Sequence, residues 1–254
     1  TFLLSCIATL EDYAIQWDEL ENFFVGLTTL RFFQTWNVDY LDFSGKNPII
    51  QSDDRHLLSG HVYGYPYDQS GFYYPAFMFP PFANMISAAT YLIFNKHLGL
   101  LSVNAAYHLT SAFFATFLLI GVYLFTRDFF GPKVALFAVL FLAGFPAFYG
   151  YAHQSIKDMP QAFFFFSSTA AFIKAVDTHR SHWFVLTGVL LGLGLSTKIN
   201  ILLLYVLFFF IYLFIAIIHK LPQTLLRRIL CLIEHTLSIL IVILFLLVVT
   251  GVSI

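Results

Sequence analysis

The chain has 254 residues, of which 59% are hydrophobic and only 11% charged, with 32 phenylalanines and a formal net charge of −1. Soluble domains carry about 25% charged residues, so the shortfall points to a membrane protein, and the near-zero net charge argues against nucleic acid as a partner. Cys6 and Cys231 both sit in apolar runs without a spacing motif, and read as small core residues rather than a disulfide or metal site.

Thr1 to Leu10 reads as the outer end of a first transmembrane helix. No charged n-region precedes it and no small-residue cleavage site closes it, which argues against a signal peptide. The sequence starts without Met and stops inside an apolar run, so we read it as a fragment: one transmembrane domain over 1–254 whose C-terminal part is missing. Residues 11–102 form the polar part, read as an extracytoplasmic loop. It holds Glu11, Asp12, Asp18, Glu19, Glu21, Asp39, Asp42, Asp53, Asp54 and Asp68, with few bases. From Glu19 to Trp36, apolar residues at helical spacing (Leu20, Phe23, Phe24, Leu27, Leu30, Phe33) predict an amphipathic helix along the membrane surface. The stretches Phe43 to Pro48 and Gly60 to Gly71 are loop-like, and their tyrosines, with Trp36, suit an interfacial aromatic belt. Phe79 to Phe94 is apolar but short of the roughly 20 residues a crossing needs, and it opens with Pro80-Pro81. It is therefore read as a second interfacial helix, over 79–95.

Six transmembrane spans are expected over 103–254: Val103 to Phe125, Val134 to Gly150, Gln161 to Ile173, Trp183 to Leu195, Ile199 to Ile218 and Leu232 to Ile254. Counting crossings puts Arg127, Lys133, Lys174, Arg180, Lys220, Arg227 and Arg228 on one side, which the positive-inside rule assigns to the cytoplasm. The acid-rich loop, Lys157-Asp158 and Lys198 fall on the other. The spans Gln161 to Ile173 and Trp183 to Leu195 each cover only about 20 Å of a roughly 30 Å core. The turn at Ser196-Thr197-Lys198 should then lie below the outer surface, where backbone can break only if protein or a watery cavity covers it. This predicts an outward-opening cavity with Lys198 in its wall. Gly188, Gly192 and Gly194 allow close helix packing, and the chain shows no internal repeat.

The chemistry-bearing candidates follow from this map. Asp18 and Glu19 fit a solvated first helical turn, where acids are favoured. Trp17 beside them, the missing bases and the cavity expected on the same face argue for more. Asp158, two residues before Pro160, fits a helix N-cap, which does not exclude a second role. Ionisable residues at membrane depth are functional candidates, which includes Lys157 and Lys198, although Lys157 could simply snorkel to the interface. The nine histidines show no metal-ligand spacing, and His108 in mid-span reads as a helix-contact residue. Gly-rich phosphate loops and nucleophile elbows do not occur, which leaves a lipid-linked donor as the natural activated substrate.

Asp18-Glu19 after a first helix, the Tyr73-Tyr74-Pro75…Pro80-Pro81 segment, the Lys157-Asp158-Met159-Pro160 loop and Gly194-Leu195-Ser196-Thr197-Lys198 together resemble the GT-C glycosyltransferases. The nearest branch is that of protein O-mannosyltransferases and bacterial aminoarabinose transferases. The resemblance implies an all-α polytopic membrane protein: a GT-C helical bundle whose first extracytoplasmic loop carries interfacial helices. It further implies a sugar linked through phosphate to a polyprenyl or dolichyl lipid, transferred with inversion at the non-cytoplasmic face of a cell or ER membrane. The acceptor would be a protein or a glycolipid. Asp18 would be the catalytic base with Glu19 its neighbour, and Asp158 a second acid at the cavity mouth. The aminoarabinose-transferase pattern has a basic residue just before its Pro-Pro, where Phe79 stands here, so donor-phosphate binding moves to Lys157 or Lys198. Acidic residues near a phosphate can hold Mg²⁺ or Mn²⁺, but no ligand set can be counted. Two other classes compete: a transporter or flippase for a lipid or small solute using Asp18 and Asp158 as ion or proton sites, and a structural subunit with a decayed site. Acids crowded into an outer loop rather than at mid-bilayer favour the enzyme.

Overall fold

The computed structural model describes residues 1–13, 19–41, 47–49, 80–154 and 156–218. Among them every regular element is helical: α1 (Phe2–Thr9), α2 (Glu19–Thr35), α3 (Phe82–Thr90, continued as a wider π turn over Tyr91–His97), α4 (Val103–Phe130), α5 (Pro132–Ala143), α6 (Pro146–Gln154), α7 (Asp158–Thr178), α8 (Ser181–Leu195) and α9 (Leu202–Ile218). Short 3₁₀ turns lie at Leu10–Asp12, Val38–Leu41 and Ile199–Ile201. The chain divides into two compact units, Thr1–Thr116 with Phe145–Met159, and Phe117–Gly144 with the described part of Pro160–Ile254.

In the first unit α2 differs from the amphipathic surface helix expected. Asn22 to Thr29 are all buried, whereas a helix resting on one face would leave its other side open. Polar residues tolerate this because Thr28 and Thr29 turn their hydroxyls back onto the carbonyls of Phe24 (2.9 Å) and Val25 (2.7 Å). Gly26 is what lets α2 lie against α3: a Cβ there would run into the Asn84 backbone carbonyl and stand 3.0 Å from the Asn84 Cβ. The core gathers Phe23, Phe24 and Leu27 of α2, Ile49, Ala88, Tyr91 and Leu92 from the α3 helix and its π turn, Tyr107 of α4, and Ile156. The Phe23 ring meets Tyr91 and Tyr107 edge-on at 5.1 and 4.8 Å. Ser102 begins α4, accepting the Ala105 N–H (3.2 Å) and donating to the Glu11 carboxylate (2.7 Å), so this acid of the polar stretch sits at a helix N-terminus, where its charge is favoured.

α4 runs for 28 residues, about 42 Å at 1.5 Å per residue, and is long and apolar enough by itself to cross a bilayer. The run Val134 to Gly150 is not one straight span. α5 ends at Ala143 and α6 starts at Pro146, with a 65° bend between them, and only as a pair do they pass the same test. Pro146 has no N–H to give and keeps Phe145 out of the helical region, so the chain turns there. The run Gln161 to Ile173 also differs: α7 has 21 residues and carries on through Lys174 and Asp177, so its shortness was one of apolar character, not of helix length. α8, at 15 residues, is short as expected. The run Leu232 to Ile254, Phe43 to Lys46, Gly60 to Gly71, Tyr73-Tyr74-Pro75 and Phe79 lie outside the described residues.

In the second unit α4 and α7 run side by side in the same direction. Phe117 meets Phe163, Gly121 and Phe125 meet Phe166, and Lys174 Nζ reaches Asp128 at 2.6 Å. α8 returns antiparallel, bringing Trp183 under the Lys174 ammonium (5.1 Å) and Gly194 against Phe164 and Ile201. α9 runs parallel to α7, with Phe172 and Phe208 stacked at 4.3 Å. Large apolar side chains stand open on α5 (Phe137 72%, Phe141 68% exposed) and α9 (Leu203 72%, Phe214 64%).

The two glycine contacts differ in what they meet, and so in what a methyl should cost. Gly26→Ala strikes backbone and should lower stability by about 1–3 kcal/mol. Gly194→Ala meets chiefly the rotatable end of Ile201 and should cost less. Thermal unfolding of the two purified variants in detergent, followed by tryptophan fluorescence, should rank them in that order.

Candidate active site

Glu19 opens α2 and is 2% exposed, with its Oε2 2.9 Å from Nε2 of His108, which is fully buried in the first half of α4. The acid expected as Asp18's neighbour in an outer pair is thus inside the protein, bonded across 89 residues to a histidine read as a plain contact residue. The local cause is the α4 pattern Asn104, His108, Ser111, spaced to share one helix face. Each of these residues has a buried polar atom (Asn104 Oδ1, His108 Nδ1, Ser111 Oγ) without a hydrogen-bond partner among the described residues. On α3, Asn84 Oδ1 and Ser87 Oγ are in the same state. Asn84 donates from its amide nitrogen to Asn22 Oδ1 (3.3 Å), and Thr90 and Thr110 share a hydrogen bond at 3.1 Å. The result is a polar seam among α2, α3 and α4 inside an otherwise apolar unit. Interiors of this kind hold water at such atoms.

Asp18, the residue expected to be the base, lies outside the described residues. The loop that carries Lys157 and Asp158 is tied to the same unit. Ile156 belongs to the apolar cluster of Phe23, one turn after Glu19, and Tyr107, next to His108. Lys157 is 9% exposed, covered by protein rather than snorkelling, and Asp158 is exposed in the first turn of α7, as a helix-starting acid should be.

A second buried histidine, His153 of α6, closes the other side of the acid-rich stretch. Its Nδ1 donates to the Tyr149 carbonyl at 2.7 Å and its Nε2 lies 2.9 Å from Thr9 Oγ1. Its ring stacks on Tyr13 at 4.2 Å and 17°. His108 and His153 are the functional candidates that sequence reasoning passed over. The polar stripe 104–108–111 in a long apolar run could have revealed the first, but nothing local to the sequence marks the second.

Lys198 belongs to the second unit, half-buried just after α8. The turn before it satisfies its own backbone. Ser196 Oγ donates to the Gly192 carbonyl (2.7 Å), Thr197 Oγ1 to that of Leu193 (3.1 Å), and the Lys198 N–H to that of Gly194 (2.9 Å). Ser196 and Thr197 are buried. At the same end of the unit, Gln161 of α7 donates to Asn200 Oδ1 at 3.1 Å. No group of three or more His, Cys, Asp or Glu side chains that could hold a metal ion is assembled among the described residues.

Residues 79–249 match the family model described as dolichyl-phosphate-mannose-protein mannosyltransferase. No curated protein and no solved structure matches the chain. The match takes in His108, His153, Lys157, Asp158 and Lys198, and begins after Asp18 and Glu19.

Removing one partner of a buried hydrogen bond takes a partner from the group left behind, whereas removing both does not. His108→Leu alone should therefore cost about 1–3 kcal/mol, and the double variant Glu19→Leu/His108→Leu should recover part of that loss. A double-mutant cycle of denaturant unfolding measures the coupling.

Proposed function

The chain belongs to the dolichyl-phosphate-mannose-protein mannosyltransferase family, whose members are membrane glycosyltransferases of the GT-C kind, and from that premise we propose that it is an inverting, multi-pass glycosyltransferase. It moves a sugar from a dolichyl- or polyprenyl-phosphate donor to an acceptor hydroxyl, of a protein in the first instance, at the non-cytoplasmic face of the membrane. The observation that carries this reading is the family match over 79–249, which covers the Lys157-Asp158 loop and Lys198 together. The open apolar faces of α5 and α9 support a lipid surrounding.

In this reading Asp18 takes the proton of the acceptor hydroxyl as its oxygen bonds to the anomeric carbon. The bond from that carbon to the phosphate oxygen breaks, and its electron pair leaves with the lipid phosphate. That phosphate is a stable anion, so it needs charge stabilisation more than a proton, unlike the leaving group of a glycosidase. Lys157 or Lys198 is the cation assigned to it, each beside the start of a helix and at least half-buried, where less water competes. Glu19 anchors the start of α2 next to Asp18 in sequence, and Asp158 is the second acid of the site. Acidic residues near a phosphate are compatible with a divalent cation, Mg²⁺ or Mn²⁺.

Loss of the base should remove the roughly 10²–10⁴-fold that proton transfer contributes. Asp18→Asn should insert and fold normally yet fail to release carbohydrate product from a polyprenyl-phosphate sugar in a detergent assay. Full activity of that variant would refute the base assignment. Ion-driven uptake into vesicles, with no transfer at all, would instead support a transporter.

A further inference from the structure

We infer that one end of the second unit, where α4 turns into α5 and α7 into α8, is a binding site for the headgroup of an anionic phospholipid, with Arg127, Lys133 and Arg180 as its cations. The site uses none of the residues assigned to sugar transfer.

Two tight turns build this end. Gly131, at a φ of +85° that favours glycine, is the single residue between α4 and α5, and its N–H bonds to the Arg127 carbonyl at 3.0 Å. Only His179 and Arg180 lie between α7 and α8, and the Trp183 N–H closes that turn on the Arg180 carbonyl at 3.2 Å. Side chains join one turn to the other. The Asp128 carboxylate accepts from Arg127 Nη2 at 3.1 Å and from Lys174 Nζ at 2.6 Å, and the Lys174 ammonium lies over the Trp183 ring. Arg127, Lys133, Lys174 and Arg180 are thus gathered at one end of a single compact unit.

These bases outnumber the acids beside them. One carboxylate, that of Asp128, is shared between Arg127 and Lys174. Lys133 and Arg180 are exposed and form no ion pair among the described residues, and Asp177 is the other acid at this end. The excess of positive charge calls for an anion. What adjoins the bases decides its kind, because it is apolar. Phe129 and Phe130 are 47% and 68% exposed, and Val134 and Phe137 stand open on the first turns of α5. A free phosphate has no use for bare rings. A phospholipid satisfies both features, its phosphate taking the Arg and Lys donors while its chains cover the phenylalanines. Trp183, an apolar ring with one N–H, suits the level between headgroup and chain. The surplus charge favours an anionic headgroup over a zwitterionic one.

The test is thermal unfolding of the full chain in dodecyl maltoside micelles that carry either phosphatidylglycerol or phosphatidylcholine at equal mole fraction. Phosphatidylglycerol should place the unfolding midpoint about 3–8 °C above that in phosphatidylcholine, and added NaCl should narrow the gap. Arg127→Gln, Lys133→Gln and Arg180→Gln, made singly, should each remove about a third of that gap, and the triple variant nearly all of it. Comparing the two lipids within each variant cancels any change in its intrinsic stability. Arg31→Gln removes the same charge from α2, in the first unit, and should keep the whole gap. Equal midpoints in the two lipids would overturn the inference. So would a gap that Arg31→Gln diminishes as much as Arg180→Gln does, which is what attraction by overall charge alone would give. Inorganic phosphate that reproduces the rise in phosphatidylcholine micelles would overturn the lipid as ligand. Each of these results leaves the transferase reading untouched, since no donor or acceptor enters the assay.

Discussion

The bond between Glu19 and His108 is the constraint from which the first unit takes its form. A carboxylate inside an apolar helical unit is tolerated only with a hydrogen-bond donor aimed at it. His108 can supply one because α4 presents it on the same face as Asn104 and Ser111. Meeting it sets where α2 begins, and α2 must then run its first turns through the interior. Gly26 allows that by letting α2 lie directly on the α3 backbone, and Phe23 fills the space between Tyr91 and Tyr107 beside the buried bond.

This arrangement also joins two parts of the chain that sequence comparison treats separately. The family match begins at residue 79, after the acids of the first loop. Yet Glu19 reaches His108 inside the matched region, and Ile156, next to Lys157, shares a core with Phe23. The first-loop helix and the Lys157-Asp158 loop therefore belong to one packed unit, although they are distant in sequence.

Among the described residues the helical character and some helix ends were legible from apolar runs and their punctuation. The expected helix at Glu19 to Trp36 is α2, and the short run Trp183 to Leu195 is α8 within two residues. What failed was the identity of the surroundings. Phe and Leu at helical spacing look alike whether they face lipid, a surface or a core, so the pattern of α2 suggests a helix lying on a membrane although Asn22 to Thr29 are enclosed. Hydropathy also averaged over Gly144-Phe145-Pro146 and so overlooked a 65° bend that the dipeptide before Pro146 dictates. At the site, the acids stood out because charge is rare in this chain, and the Ser196-Thr197-Lys198 turn because α8 is short. Glu19's partner did not stand out, because a hydrogen bond across 89 residues leaves no trace in local spacing. Asp18 lies outside the described residues, and its role rests on the family resemblance.

The side-by-side, co-directional course of α4 and α7 carries a topological corollary. Two neighbouring rods that point the same way must be linked by a strand of chain that doubles back along their whole length. Here the linking residues are those of α5 and α6. The Asp128–Lys174 clasp joins side chains 46 residues apart, so it can close only after the chain between them has come back. The folded protein would therefore acquire this charge pair as a late event.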